Sequence, residues 1–378
     1  MHIDKRLFGL GAIVLVIGVT GITGWQLHRH WSGADTPDYQ APIQTSQGLT
    51  ASENKPKGKR TRVTRYLLRH HFVGSALVVK NGHIIYQQGF GYANAVRPTP
   101  NDSQSQYQIL SIQKSLTAAM VMKLISEQRL RMTTPLSQFY PQIKNARNVT
   151  VKQLLNMTSG LSLDRSSKTP LSEKQVVAYD VKHLESHPKL AGQWRYEPVN
   201  YVLLTGIVTK LTHRSYTQNF NATFKKPLHL THTGFVQQWG HRVFRTTSYH
   251  HVSSNQLTPN YQRVYHESRA AMQDELGTGQ LYMTTTDLFR AEQQLLSGKV
   301  ISRQAISELH QAGSVSTYGG GVYNQSNGIR LHGIGYGYES AGLLTRDGKS
   351  GVVLLSNDYR KKASVLPLAK ALFKKVAG

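Results

Sequence analysis

The chain has 378 residues, a length that allows two domains or one large one. Cysteine is absent, which excludes a disulfide framework and a thiolate nucleophile. The formal net charge of +25 favours polyanionic partners, although a merely well-solvated surface is the alternative. No basic run is interleaved with aromatic residues as in a nucleic-acid groove, so we expect no nucleic acid among the partners.

The first 31 residues predict a signal anchor, the single membrane-spanning helix of the chain. Lys5 and Arg6 precede an uncharged run from Leu7 to Leu27. As a helix, this run would cover roughly 30 Å, about one bilayer core. A cleavable signal would have a shorter apolar region and a small-residue cleavage site, and neither is evident. We therefore expect single-pass insertion in the cell membrane, with the rest of the chain outside.

Residues 32–60 follow as a flexible stalk, because they consist largely of small and polar residues and cannot bury a core. Residues 61–378 form the remaining domain. Outside the cell membrane, its positive charge suits anionic membrane or envelope polymers.

Strands are predicted at both ends of this domain, with a long helical section between them. In chain order the pattern indicates a helix at 62–71, a hairpin turning at Asn81-Gly82, helices at 111–128, 148–159 and 199–211, a run of strands with a hairpin at Asp347-Gly348, and an amphipathic helix at 361–376. Strands segregated from helices predict an α+β fold. We expect an antiparallel sheet closed by both termini, flanked by N- and C-terminal helices and joined to a large, mostly helical subdomain.

Ser111 and Lys114 have the spacing S-x-x-K of a nucleophile and its base. The same spacing occurs at Ser52–Lys55, in the predicted stalk, and at Ser186–Lys189, where Pro188 disfavours a continuous helical turn. Ser111 alone opens a long apolar helix after a polar loop. The spacing there puts Ser111 and Lys114 on one helix face.

The start of a helix suits a nucleophile because it supplies unpaired N–H groups and positive potential. A lysine carried into a buried position finds its charged form disfavoured and can act as a base. The alternative from these local features is an N-capping serine with a solvated lysine.

A set of segments, in order and spacing, resembles the serine β-lactamase and penicillin-binding-protein-like hydrolases of class C type. They are "FVGSALVVKNGHIIYQQGFGYAN", "YQILSIQKSLTAA", "NVTVKQLLNMTSGLSL", "WRYEPVNYVLLTGIV", "ELGTGQLYMTTTDL", "YGGGVY", "HGIGYGYES" and "GVVLLSND", and they cover nearly all of residues 62–378. The resemblance implies a β-lactamase/transpeptidase-like fold. The S-D-N and K-T-G tripeptides of class A enzymes do not occur in the sequence.

By this resemblance Ser111 looks like the acylated nucleophile and Lys114 its base partner. The family motif Tyr-x-Asn matches "YEPVNY" at Tyr196, and a tyrosine beside a lysine ammonium can have a lowered pKa and shuttle protons. Pro198 takes the Asn position and has no side-chain amide, so that hydrogen bond is missing or replaced. Asn200 lies two residues further on and is not assigned the role.

The third family motif, a basic residue followed by x-Gly, falls at "HGIG". His332 takes its first place, Gly333 the middle and Ile334 the place of the glycine, where it could narrow the cleft. The N–H groups of Ser111 and of a residue near Gly335 would form the oxyanion hole. The resemblance thus implies substrate binding by His332, Gly333 and Gly335.

The resemblance also implies the reaction, acyl transfer through an acyl-enzyme. Its substrates would be D-alanyl wall peptides, β-lactams or small esters, and the positive charge adds the D-alanyl esters of teichoic acid. The alternative is a catalytically degenerate relative that binds envelope polymers, for which the departures at Pro198 and Ile334 are the support. We expect no metal, no other cofactor and a monomer.

Overall fold

The computed structural model describes residues 59–240 and 244–376. The predicted signal anchor (1–31) and nearly all of the predicted stalk (32–60) lie outside the described residues and stay predictions. The first helix begins at Lys59, so the last two residues assigned to the stalk are helical. Within the described part, no helix is long and apolar enough to cross a membrane.

The hairpins and helices predicted from the sequence are present in the predicted order, together with further helices and short strands in the middle section. The α helices are α1 (Lys59–Arg69), α2 (Gln113–Ser126), α3 (Val151–Leu155), α4 (Glu173–His183), α5 (Val199–Thr212), α6 (Tyr216–Phe220), α7 (Arg269–Asp274), α8 (Thr285–Leu296), α9 (Arg303–Leu309) and α10 (Val365–Lys374). The strands are β1 (Gly74–Lys80), β2 (His83–Phe90), β3 (Tyr92–Asn94), β4 (Thr99–Pro100), β5 (Tyr107–Gln108), β6 (Leu161–Ser162), β7 (Glu185–Ser186), β8 (Gly234–Phe235), β9 (Leu281–Met283), β10 (Tyr318–Gly319), β11 (Val322–Gln325), β12 (Gly328–Gly335), β13 (Tyr338–Thr345) and β14 (Gly351–Ser356).

The main sheet has seven strands in the order β10-β11-β12-β13-β14-β1-β2, and its strand pairs are antiparallel. Asn81 and Gly82, both with positive φ, make the tight turn between β1 and β2. Asp347 and Gly348 lie in the turn between β13 and β14. Because β1 pairs with β14, strands from the two ends of the domain close one sheet. The predicted α+β fold is confirmed.

The two faces of the sheet pack against different parts of the chain. Ala76, Val78, Ala341 and Leu343 belong to the core cluster shared with α1 and α10. The alternate residues of the same strands, such as Leu77, belong to the core of the helical subdomain. Successive residues of a strand point to opposite faces of the sheet. A residue of β12 therefore uses the same face as the β13 residue directly opposite it, and the core cluster of that partner identifies the face.

One helix of the helical subdomain is much shorter than its sequence pattern predicts. The helix expected at 148–159 extends only over Val151–Leu155, because the backbone turns to a positive φ at Met157. The helix expected from Ser111 is continuous, with a 3₁₀ turn at Leu110–Ile112 leading into α2. α2 is buried without a break from Gln113 to Met122 and packs against α5. This packing brings the first turns of the two helices together.

Candidate active site

Ser111 sits in the 3₁₀ turn that opens α2. Leu110, just before it, has φ 53, a conformation that a leucine rarely adopts and that costs backbone strain. The strain is maintained by packing, since Leu110 is 2% exposed. Ser111 itself is only half-buried, so its hydroxyl remains open to a substrate.

Lys114 lies beside the Ser111 hydroxyl. Its Nζ donates a hydrogen bond to Ser111 Oγ at 3.0 Å and another to the carbonyl oxygen of Thr278 at 3.3 Å. Lys114 is 1% exposed. Burial lowers the pKa of its ammonium to about 8, and the charge of Glu275 opposes that change. A substantial fraction of this amine is therefore neutral near physiological pH and able to accept a proton.

Tyr196, directly before α5, completes the group. Its ring centroid is 5.2 Å from Lys114 Nζ. Burial raises the pKa of Tyr196, while a hydrogen bond with Ser111 works in the opposite direction. The expectation of a lowered tyrosine pKa is therefore wrong, because the loss of water around the phenol outweighs its polar neighbours. At neutral pH, Tyr196 is a protonated donor rather than a phenolate.

Gly333 and Gly335 allow β12 to lie directly against the backbone of the nucleophile. A Cβ on Gly333 would be 2.5 Å from the carbonyl oxygen of Ile109 and 2.9 Å from the Ser111 nitrogen. A Cβ on Gly335 would be 3.0 Å from the Leu110 side chain. The two glycines thus face Ser111 and its neighbours, and their lack of a side chain lets the end of β12 pack directly against the backbone around the nucleophile.

His332 lies on the opposite face of the sheet, so its expected role as a substrate-binding side chain is not supported. It pairs with Ala341, a member of the α1–α10 core cluster. Its Nε2 is 2.9 Å from Glu339 Oε1, and the other oxygen of Glu339 accepts the Val365 N–H at the start of α10. His332 therefore anchors β12 to the C-terminal helix, away from Ser111.

The two departures from the family motifs have different structural consequences. Ile334 alternates with Gly333 and Gly335 and so projects to the face that His332 uses, which corrects the expectation that it narrows the cleft. Pro198 is the N-cap residue of α5. The Asn200 side chain is engaged, since its Oδ1 accepts from Ser159 Oγ at 2.6 Å and its Nδ2 donates to the Glu197 carbonyl. Asn200 therefore does not replace the missing amide.

Glu275 is a residue of this site that the sequence reasoning did not select. Thr278 Oγ1 donates to its Oε2 at 2.8 Å and the Tyr336 hydroxyl to its Oε1 at 3.2 Å. Its charge raises the pKa of both Lys114 and Tyr196. The segment "ELGTGQLYMTTTDL" marks its surroundings, but no pattern in the sequence singles out this carboxylate. Elsewhere in the described ranges, no three or more His, Asp or Glu side chains are placed to hold a metal ion.

The family model described as "Beta-lactamase" matches residues 60–375. The chain belongs to the β-lactamase family. The resemblance found in the sequence is thereby confirmed, and this β-lactamase-family protein is a serine hydrolase. Its fold and the grouping of Ser111, Lys114 and Tyr196 agree with that membership.

Relatives of this β-lactamase-family chain include proteins named for penicillin binding and for teichoic acid D-alanine hydrolysis. PbpX of Bacillus subtilis (strain 168), named among penicillin-binding proteins, is 26% identical over 93% of this chain and 89% of its own. A teichoic acid D-alanine hydrolase of Staphylococcus aureus (strain MRSA252) is 26% identical over 76% of this chain and 72% of its own. The crystal structure of FmtA from Staphylococcus aureus has a TM-score of 0.72 at 25% identity, over 82% of this chain and 87% of that one.

Glu275→Gln is expected to move the pH dependence of this β-lactamase-family enzyme. Removing the carboxylate removes the charge that raises the Lys114 pKa, so that pKa falls and neutral lysine becomes available at lower pH. The rising limb of kcat/KM against pH should move to lower pH by roughly half a unit to one unit. Glu308→Gln, which removes the same charge from an exposed position on α9, is the control. A limb that stays in place, or moves to higher pH, contradicts the role of Glu275.

Proposed function

We propose that the protein is a membrane-anchored, extracellular serine hydrolase that removes D-alanine from envelope substrates through an acyl-enzyme on Ser111. The observation that carries the proposal is the 3.0 Å hydrogen bond between Lys114 Nζ and Ser111 Oγ, made by a lysine that is almost completely buried. A buried amine next to a partly exposed hydroxyl is the arrangement that activates a serine.

In the proposed reaction, neutral Lys114 takes the Ser111 proton as Oγ attacks the carbonyl carbon of the substrate. The N–H groups of Ser111 and Gly335 stabilise the oxyanion that develops. Tyr196, protonated and hydrogen-bonded to Ser111, relays a proton to the departing oxygen or nitrogen. Water then attacks the acyl-enzyme, with the same lysine and tyrosine moving its proton. From a D-alanyl ester this second step releases D-alanine, the polymer alcohol having left in the first step. From a D-Ala-D-Ala peptide the first step has already expelled D-alanine as the leaving amine, and the second releases the shortened peptide.

Two substrates fit the proposal, the D-alanyl ester of teichoic acid and a peptide ending in D-Ala-D-Ala. The first is favoured by the name of the Staphylococcus aureus relative, teichoic acid D-alanine hydrolase, and by a net charge of +25, which suits a polyanionic polymer.

The experiment is release of D-alanine by the purified full-length protein from D-alanylated teichoic acid and from a D-Ala-D-Ala peptide, measured side by side. We expect release from both, faster from the ester. If D-alanine is released from neither substrate, the proposal fails, and the second candidate is favoured, a catalytically degenerate binder of envelope polymers. Sedimentation of the same sample tests the predicted monomer.

A further inference from the structure

Helices α1 and α10 form a layer that carries positive charge and no carboxylate. The two helices pack on one face of the main sheet, α10 against β13 and β14 and α1 against β2. Lys375, directly after α10, has its Nζ 5.7 Å from the ring centroid of Tyr66 on α1, so the two helices are neighbours. Residues 59–71 and 359–376 contain no Asp or Glu. The mechanism proposed above gives this layer no part.

Six exposed cations follow the outer side of the layer. They are Arg62, Arg65 and Arg69 on α1, with Lys370, Lys374 and Lys375 at the end of α10. The arginines are spaced by three and four residues, and the first two lysines by four, which puts each set on one side of its helix. The opposite sides are apolar and buried, with Leu67 on α1 and Leu372 on α10. We call the six cations, together with the adjacent Leu68, the basic face.

The basic face contains repulsion that the folded chain does not relieve. Like charges three or four residues apart on a helix destabilise it. Three such pairs occur here, namely Arg62–Arg65, Arg65–Arg69 and Lys370–Lys374. At the end of α2, by contrast, a glutamate pairs with the lysine four residues before it. None of the six cations forms an ion pair with a carboxylate of the described residues. An anionic partner would supply the opposite charge.

Leu68 indicates which anionic partner fits. Its side chain is 57% exposed, although it lies between Arg65 and Arg69 on a helix of otherwise basic outer surface. Basic side chains with an exposed leucine beside them are the composition of helices that lie in the headgroup region of an anionic bilayer. The long stems of Arg and Lys let their charges stay at the headgroups while a leucine enters the apolar boundary. A soluble polyanion would use the charges alone and leave Leu68 in water.

We propose that the basic face lies on an anionic phospholipid bilayer, with the six cations at the headgroup phosphates and Leu68 in the apolar boundary. The proposal rests on the membrane-anchored location in the proposed function and adds a second attachment to it. A flexible stalk, as predicted for residues 32–60, tethers a domain without fixing its orientation, and the basic face would fix it. Ser111 lies against the other face of the sheet, so its hydroxyl would face away from the lipid.

The absence of cysteine from the chain allows a single label to report the contact. Full-length Leu68→Cys protein, labelled with a polarity-sensitive dye, is placed in vesicles of phosphatidylcholine and in vesicles that also contain phosphatidylglycerol. We expect a blue shift, and quenching by spin-labelled lipid, only in the phosphatidylglycerol vesicles. High salt should abolish both, because it screens the phosphates. Val315→Cys, at a fully exposed valine outside the layer, is the matched control and should report water in both vesicles.

Charge substitutions separate the basic face from the net charge of the chain. Arg62→Gln, Arg65→Gln and Arg69→Gln, introduced together, should shift the equilibrium between lipid-bound and free label about a hundredfold toward free. The reason is that each cation at an anionic surface contributes roughly fivefold to binding. The control removes the same charge from three exposed positions between α2 and α3: Arg131→Gln, Lys144→Gln and Arg147→Gln. It should leave the label bound, and equal shifts in the two triple variants would overturn the proposal.

Failure of this proposal and failure of the proposed function give different results. A label that stays in water on phosphatidylglycerol vesicles contradicts the bilayer contact, whereas D-alanine release is measured separately and is untouched by it. Bound label without D-alanine release refutes the hydrolase and supports the contact. Inorganic polyphosphate that displaces the label at a phosphate concentration below that of the lipid would assign the basic face to a soluble polymer and overturn the proposal. The fluorophosphonate adduct on Ser111 should be the same in both triple variants, which shows that they are folded.

Discussion

Ser111→Ala protein is expected to form no covalent adduct with a fluorophosphonate or a β-lactam and to lose activity on D-alanyl substrates by about 10⁴-fold or more. The reason is geometric. Ser111 is the hydroxyl that contacts the buried Lys114 amine, and a strained turn holds it at the open end of a buried helix. Intact-mass measurement of the adduct and release of D-alanine are the two readouts.

The matched control is Ser186→Ala, which removes the serine of the other S-x-x-K sequence in the described part of the chain. Ser186 belongs to the two-residue strand β7, and Lys189 lies in a separate 3₁₀ turn, exposed to solvent. We expect a normal adduct and normal activity. An adduct of the same mass on Ser111→Ala protein would show that another residue is the nucleophile.

The features that the sequence predicts correctly are those encoded locally. Asn81-Gly82 and Asp347-Gly348 mark the hairpins because a tight turn needs residues that tolerate positive φ. The buried helix after Ser111 is visible as an apolar run without a polar face, since every side of it must meet other side chains. The pairing of β1 with β14 follows because strands at both ends of the domain must bury one shared face.

What the sequence does not reveal depends on distant parts of the chain. His332 stands at the motif position, yet its side chain points to the sheet face that packs against α10. There it contacts Glu339, which also accepts the Val365 N–H of that helix. The raised pKa of Tyr196 depends on how much water surrounds the folded site, which the residue types alone do not specify. Glu275 joins Lys114 through Thr278, whose carbonyl contacts the lysine and whose hydroxyl contacts the carboxylate. That contact exists only after α2 and the segment following α7 pack together.

These corrections change what the departures from the family motifs mean. With Ile334 on the far face of the sheet, only Pro198 alters the side that faces Ser111, and it removes a hydrogen-bonding amide while leaving the three residues proposed to perform the chemistry in place. A degenerate binder would have no reason to keep a buried lysine next to a serine hydroxyl. Burying an ammonium costs free energy, and the use of its neutral form in proton transfer accounts for that cost.

Lys114→Met is expected to lower kcat/KM by about 10²–10⁴-fold, the usual contribution of a general base. Methionine fills the buried space that the lysine stem occupies, so the fold should persist. In the unmodified enzyme, activity should rise with pH and level off above about 8, because the protonated lysine that prevails below its pKa cannot accept the Ser111 proton. The residual activity of Lys114→Met should not show this rise with pH.

Lys114→Arg separates proton transfer from simple charge stabilisation. Arginine keeps a positive charge beside Ser111 but does not deprotonate in a protein, so it should be as inactive as methionine. Lys189→Met, which alters the exposed lysine of the other S-x-x-K sequence, should leave the rate and its pH profile unchanged. Wild-type activity in Lys114→Arg would mean that the lysine serves as a fixed cation, and the base would have to be sought elsewhere. Tyr196 stays protonated at neutral pH, and Glu275 contacts Lys114 only through Thr278. For these reasons we propose Lys114, which contacts Ser111 Oγ, as the group that accepts its proton.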